Sequence, residues 1–243
     1  MKRSLSAEWL KLRHSRIGLV LAALPAVSVL IGCANFALNR DVLTNGWYSL
    51  WTQVSLFYGE FFLPILIAIV CAYLCRLEHL NRNWNLVLAA PVPVAGIFLA
   101  KWITAALLIL TAQALFMALY GAAGLLLGLP GPFPAETAGW ALRGWCAGLT
   151  VGALQLGLSL RIRSFAVPVG FALAAVLAGL GLYVAKLGLF FPHSLLTIGM
   201  RVLSQEPPDP RQEALFWTMN AAYALLFAAW SVRGLKVRDA GTV

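Results

Sequence analysis

The chain has 243 residues, 61% of them hydrophobic and 11% charged, with a formal net charge of +9. Soluble domains carry about 25% charged residues, so this composition excludes an ordinary soluble protein and indicates a polytopic membrane protein. The 18 Lys and Arg residues sit at the ends of apolar runs rather than in one patch, which suits orientation in a bilayer and argues against nucleic-acid binding.

Residues 1–16 place Leu5, Trp9 and Leu12 at spacings of four and three. That pattern predicts an interfacial helix with one apolar face lying in the headgroup layer. Glu8, Trp9 and Lys11 are its candidate functional residues, with Trp9 at the interface and Lys11 and Arg13 reaching phosphates. Crossing hydrocarbon takes a helix of roughly 20 apolar residues. Six runs qualify, at about 17–38, 57–76, 97–127, 140–160, 165–185 and 214–232. The first has a competing reading, because Leu30-Ile-Gly-Cys33 resembles a lipoprotein cleavage box. Its apolar run continues from Ala34 to Leu38, longer than a signal-peptide core of about 7–15 residues, and it is read as a span.

Residues 39–53 are aromatic and polar, suited to the outer interface. In the second span Glu60 lies one turn before Pro64. A carboxylate in lipid costs a few kcal/mol, so two readings stand: Tyr58 and Glu60 line a cargo path, or Glu60 snorkels to the interface beside Tyr58. Cys71, Cys75 and His79 share one helix face by their spacing of four. Soft thiolates suit copper or iron–sulfur chemistry, but three ligands on one face cannot surround an ion, and packing is the preferred reading. Cys33 and Cys146 also fall in apolar runs and read as packing residues. The chain is expected to hold no metal and no cofactor.

A polar break follows, from Arg76 to Lys101, containing Glu78, His79, Arg82, Asn83, Trp84, Asn85 and Leu86. Trp84 and Leu86 fit a hydrophobic pocket on another protein, with Glu78, Arg82, Asn83 and Asn85 as a polar rim. Pro91 and Pro93 stop this segment before the third span. Residues 128–138 read as a Pro/Gly turn. In the fourth span Gly144, Gly148 and Gly152 recur every four residues and let another helix approach closely, either within the chain or from a second subunit. Arg161 to Ser164 forms a tight basic turn. In the last outer segment, 186–213, residues Pro192 to Leu203 can form a short amphipathic or re-entrant helix before the prolines at 207, 208 and 210.

With both termini inside, thirteen basic residues fall on the cytosolic side and five (Arg40, Arg143, Lys186, Arg201, Arg211) outside, which favours an N-in/C-in topology. His14, His79 and His193 are far apart, and no nucleophile–base pair or carboxylate dyad stands out, so no enzyme site is expected. No Gly-x-x-x-x-Gly-Lys-Ser/Thr loop occurs, so any ATP hydrolysis belongs to another subunit.

Two stretches carry a family likeness. Residues Ala7 to Ser15 give Glu-x-x-Lys-x-(Lys/Arg)-x-Ser before the first span. Glu78, Asn83-Trp84, Pro91 and Lys101 follow a second spaced pattern. In order and spacing the chain resembles ABC-2 type transporter permeases, specifically the lantibiotic-immunity and bacitracin-export kind. The resemblance implies one all-α transmembrane domain over 1–243, an N-terminal interfacial helix and a cytosolic coupling helix near 78–90. It implies docking on a separate ATP-binding subunit, in two copies, carrying ATP and magnesium. It also implies a second permease, identical or homologous, a bacterial cytoplasmic membrane, and export of amphiphilic antimicrobial peptides for self-protection. Another cargo (lipid, drug or polysaccharide) and a non-transporting sensor or structural subunit are the alternatives. Two departures stand: His193 occupies a place where relatives often have an aromatic residue, and Val94 to Gly96 lacks a common basic residue.

Overall fold

In a computed structural model, residues 2–13, 15–80, 84, 87 and 91–240 are described. Every regular element among them is helical. In chain order these are α1 (Lys2–Leu12), α2 (Ile17–Leu38), α3 (Gly46–Ser55), a π-helical stretch (Leu56–Phe62), α4 (Leu63–His79), α5 (Val94–Leu126), α6 (Ala135–Arg161), α7 (Ala166–Val184), a 3-10 turn (Gly188–Phe190), α8 (Ser194–Gly199) and α9 (Pro210–Ala240).

Five helices are long and apolar enough to cross a membrane: Ile17–Leu38, Gly46–His79, Val94–Leu126, Ala166–Val184 and Pro210–Lys236. The residues of the expected span at 140–160 form helix α6, whose 27 residues give a length of roughly 40 Å, but its composition is more polar and it is not one of these five. Packing explains that polarity. Helix α6 is flanked by α4, α5, α8 and α9, and part of its polar complement is matched inside the bundle, although Gln155 and the Ser159 hydroxyl are buried without partners among the described residues. Thr150 donates to Asn220, and Gln113 Nε2 donates to the Ala141 carbonyl at 2.9 Å. Trp102 and Trp145 donate across the α5–α6 contact to the carbonyls of Leu149 and Ala106. A helix shielded by its neighbours can carry hydroxyls and amides that lipid would penalise.

The glycine stripe of α6 faces these neighbours. A Cβ on Gly144 would lie 2.2 Å from Met200 Cγ, while Gly148 and Gly152 sit against Ile67 and Ile109. The surface that could have met a second permease is occupied by the chain's own helices. A closer backbone approach occurs where Gly32 of α2 meets α3: a Cβ there would fall 2.6 Å from Val54 Cα.

The 39–53 segment, expected at the outer interface, packs its tryptophans against the chain's own helices. Helix starts at Gly46 and runs without a break into α4, and its aromatic residues turn inward. Trp51 is fully buried and donates to the Met200 carbonyl at 3.1 Å. Trp47 packs edge-on to Tyr120 and Phe133. The rings are amphipathic, and here their N–H groups find carbonyls inside the bundle instead of water at its edge. The turn after α5 forms as expected, with Gly128 and Gly131 at positive φ. The short helix expected after Pro192 forms as α8.

Candidate functional site

Four charged side chains from three distant stretches meet where α1 crosses the end of α4 and the start of α5. Lys101 is fully buried. Its Nζ donates to both Glu8 carboxylate oxygens at 3.1 Å, to Glu78 Oε1 at 2.7 Å and to the Leu74 carbonyl at 2.7 Å. Lys11 Nζ reaches Glu8 Oε1 at 2.7 Å and Glu78 Oε1 at 2.5 Å. Two carboxylates and two ammoniums therefore form an electroneutral quartet. Glu8 is 5% exposed and Glu78 1% exposed.

Local structure makes this possible. Glu8 and Lys11 are three apart on α1 and so share a face. Lys101 lies two turns into α5, after Pro93 has opened that helix. Glu78 lies in the last turn of α4. Burying charges is costly unless each is paired and further hydrogen-bonded, and the three N–H groups of Lys101 are divided among the Glu8 carboxylate, Glu78 and the Leu74 carbonyl.

A second link leaves the same end of α4. Trp84 Nε1 donates to His79 Nδ1 at 3.1 Å, and His79 Nε2 lies 2.7 Å from the Ser159 carbonyl. Because a carbonyl only accepts, Nε2 carries the proton and Nδ1 accepts from Trp84. The polar break is thereby tied to α6 as well as to α1 and α5.

These contacts correct several expectations. Glu78 is not on an exposed rim, since its charge is consumed by Lys11 and Lys101. Trp84 is 5% exposed and fills space within this chain, not an outward anchor position. Lys11 points at carboxylates rather than at lipid phosphates. On α1 it is Glu8 that turns inward, while Trp9 and Leu10 are 54% and 65% exposed. Arg82, Asn83, Asn85 and Leu86 lie outside the described residues. Arg76, Leu77 and Leu80 remain outward at this end of α4.

At the other end of the same helix, the wide π turn rotates Tyr58, Gly59 and Glu60 into the bundle. Tyr58 is fully buried and stacks on Phe116, with centroids 4.0 Å apart. Glu60 is 3% exposed and accepts a hydrogen bond from Thr197 of α8. Neither residue snorkels: Glu60 ties the π stretch to α8 through Thr197, and Tyr58 ties it to α5 through Phe116. Cys71 lies against the Gly152 carbonyl at 3.6 Å, and Cys75 is buried beside it. Among the described residues no group of three or more metal-ligating side chains converges.

The quartet residues are the same ones that carry the spaced motifs of the sequence, Glu8 and Lys11 in the first and Glu78 and Lys101 in the second. A family model described as "ABC-2 family transporter protein" matches residues 4–179, well over half of the chain. The chain belongs to the ABC-2 transporter family. It is thus a multi-pass membrane transporter subunit, of a family whose permeases are non-catalytic and typically work with an ATP-binding subunit. The matched stretch holds all four quartet residues. No curated protein and no solved structure matches the chain.

Lys101 was legible only as the last residue of a motif, and sequence reasoning placed it at the cytosolic membrane edge without a partner. The signal that could have found the site was charge balance. Two acidic and two basic residues occupy motif positions flanking spans, where a lone buried charge is not tolerated.

Proposed function

We propose that this ABC-2 permease subunit has six spans, the five apolar helices plus α6, with both termini in the cytosol of a bacterial cytoplasmic membrane. Two copies of a separate ATP-binding subunit, carrying ATP and magnesium, dock on the segment around residues 78–90. Two permease chains, identical or homologous, line the path. The cargo is an amphiphilic antimicrobial peptide of the lantibiotic kind, expelled for self-protection.

The observation that carries the mechanism is the quartet. The segment between α4 and α5 leaves from Glu78 and returns to Lys101, and these two residues are joined directly to one another and to α1. The Trp84–His79–Ser159 relay adds α6. A push on the segment therefore moves α1, α4, α5 and α6 as one body and is not absorbed by a loose loop. Packed, hydrogen-bonded elements of this kind carry two-state motions between distant sites. With Glu78 and Trp84 turned inward, the contact surface for the ATP-binding subunit is the outward side of this end, where Leu77 and Leu80 supply apolar area and Arg76 a charge.

Co-expression with the cognate ATP-binding subunit tests the reading. Leu77→Asp with Leu80→Asp is expected to abolish co-purification of that subunit while leaving permease abundance in the membrane unchanged. Loss of the permease gene is expected to raise peptide sensitivity. Full ATPase association in the double variant, or unchanged peptide sensitivity without the permease, contradicts the docking or the cargo assignment respectively.

A further inference from the structure

At the Glu60 end of the bundle a cavity of about 540 Å³ opens between α6, the 183–189 turn, α8, the 204–208 segment and the start of α9. Three cations, Arg143, Lys186 and Arg201, line it together with one carboxylate, Glu206, so its lining carries an excess of positive charge. Along the helix Glu60 and Glu78 are 18 residues apart, roughly 27 Å, so this cavity lies across the bundle from the quartet. Lys186 and Arg201 lie beyond residue 179, where the family match ends.

Charge in the cavity is only partly balanced. Arg143 pairs with Glu213 at 2.5 Å and stacks over Phe216, 4.7 Å from the ring centroid. Its buried Nε has no hydrogen-bond partner among the described residues. Arg201 donates to the main-chain carbonyl of Glu206, not to its carboxylate. Neither Arg201 nor Lys186 is ion-paired among the described residues. Burial first, and then the like charge of Arg143, hold the Arg201 guanidinium below its ordinary value, with Glu213 pulling the other way. Glu60 is turned to Thr197.

Backbone conformation points to the same two residues. Lys186 and Arg201, at φ +60° and +54°, are the non-glycine residues of the described chain with positive φ. Each follows the end of a helix, α7 and α8, and each end is closed by a bond from the next amide back five residues: Leu187 to Leu182 at 2.8 Å and Val202 to Thr197 at 3.1 Å. Glycine is the ordinary occupant of that position, and a side chain there is strained against the following carbonyl. Two helices thus place strained cations, where glycine would be cheaper, on the wall of one cavity. Strained residues persist where surrounding structure and function demand them.

We propose that this cavity binds a phosphate group, carried on an anionic phospholipid headgroup or free in solution, held by Lys186, Arg201 and Arg143. A pocket of this size accommodates a headgroup, and guanidinium with ammonium donors is the chemistry that recognises phosphate. A reading confined to structure is also defined: each cation merely complements the negative C-terminal end of its own helix. That reading expects no anion binding.

Glycine substitution separates the two, because it relieves the backbone and removes the charge together. The purified full chain in nonionic detergent is titrated by calorimetry with dihexanoyl-phosphatidylglycerol, dihexanoyl-phosphatidylcholine and inorganic phosphate. The wild-type chain is expected to bind phosphatidylglycerol at least tenfold more tightly than phosphatidylcholine. Saturation by phosphatidylglycerol without phosphate assigns the lipid source, and comparable binding of both assigns the free anion. Lys186→Gly and Arg201→Gly are each expected to weaken binding about tenfold or more, the scale of one charge-assisted contact, with thermal stability unchanged or raised. Arg40→Gln, a cation outside the cavity, is expected to stay within twofold of wild type. Absence of binding by both anions, or equal affinity in the Lys186→Gly/Arg201→Gly double variant, overturns the proposal.

Discussion

At the Glu78 end of the Gly46–His79 helix, two carboxylates and two ammoniums close on one another, with Glu8, Glu78 and Lys101 buried and Lys11 at the rim, its side chain 28% accessible. At the Glu60 end, three cations line an open cavity with a single ion pair among them. The first arrangement comes from residues lying within helices, on faces fixed by helical spacing. The second sets Arg143 of α6 beside Lys186 and Arg201, two residues at helix ends held by strained backbone. The difference teaches where rigidity and where ligand chemistry reside in this fold. A buried, charge-balanced quartet, in which each ammonium meets both carboxylates and only Glu78 Oε2 is buried without a partner among the described residues, suits a joint. An under-neutralised, open cavity retains bonding capacity for a ligand and suits a binding site.

The largest expected effect breaks the joint. Lys101→Met leaves Glu8 and Glu78 buried against Lys11 alone, and removing one partner of a buried ion pair costs about 3–5 kcal/mol. Thermal unfolding in detergent is expected to show this as a large fall in midpoint, together with low membrane abundance. A midpoint unchanged from wild type would mean that water reaches the quartet freely.

The next effect belongs to the other end and depends on pH. His193, 3% exposed between Phe171 and Phe191, has no hydrogen-bond partner for Nε2 among the described residues. Burial pushes its imidazole down to about 4 from an ordinary 6.5. The folded chain thus binds this proton less readily than the unfolded chain. The stability contributed is full above about pH 6.5 and is lost as pH falls toward 4, by about 3 kcal/mol in all. His193→Phe keeps the ring contacts and is expected to flatten that part of the pH–stability curve. A parallel curve in the variant would place the proton elsewhere.

The smallest effect completes the contrast. Arg143 and Glu213 are partly exposed, with side chains 17% and 32% accessible, so solvent screens their pair. Arg143→Met is expected to cost only about 1 kcal/mol, the scale of a screened ion pair with a cation–π contact. A loss as large as that of Lys101→Met would erase the distinction between the two ends.

The spans were legible because lipid demands long apolar runs, and α2, α5, α7 and the core of α9 follow those runs within a few residues. Residues 46–55 were not, because Trp47 and Trp51 look alike in sequence whether they face headgroups or, as here, carbonyls inside the bundle. The polarity of α6 was readable, but its reason, a central position among four helices, is tertiary. At the quartet the four residues were visible as motif members, and their meeting was not. Spacing fixes faces within one helix, whereas the encounter of Glu8 with Lys101 depends on how α1 folds back over α5. Lys186 and Arg201 gave no signal beyond their charge, since positive φ at a basic residue runs against propensity.

The quartet is a joint and the cavity is not. A double-mutant cycle on Glu78→Gln and Lys101→Met, set beside one on Glu213→Gln and Arg143→Met, measures that difference directly by thermal unfolding. The account predicts a coupling of about 2 kcal/mol or more for Glu78 with Lys101, and less than about 1 kcal/mol for Glu213 with Arg143. Equal couplings at the two ends, or a negligible one between Glu78 and Lys101, would contradict it.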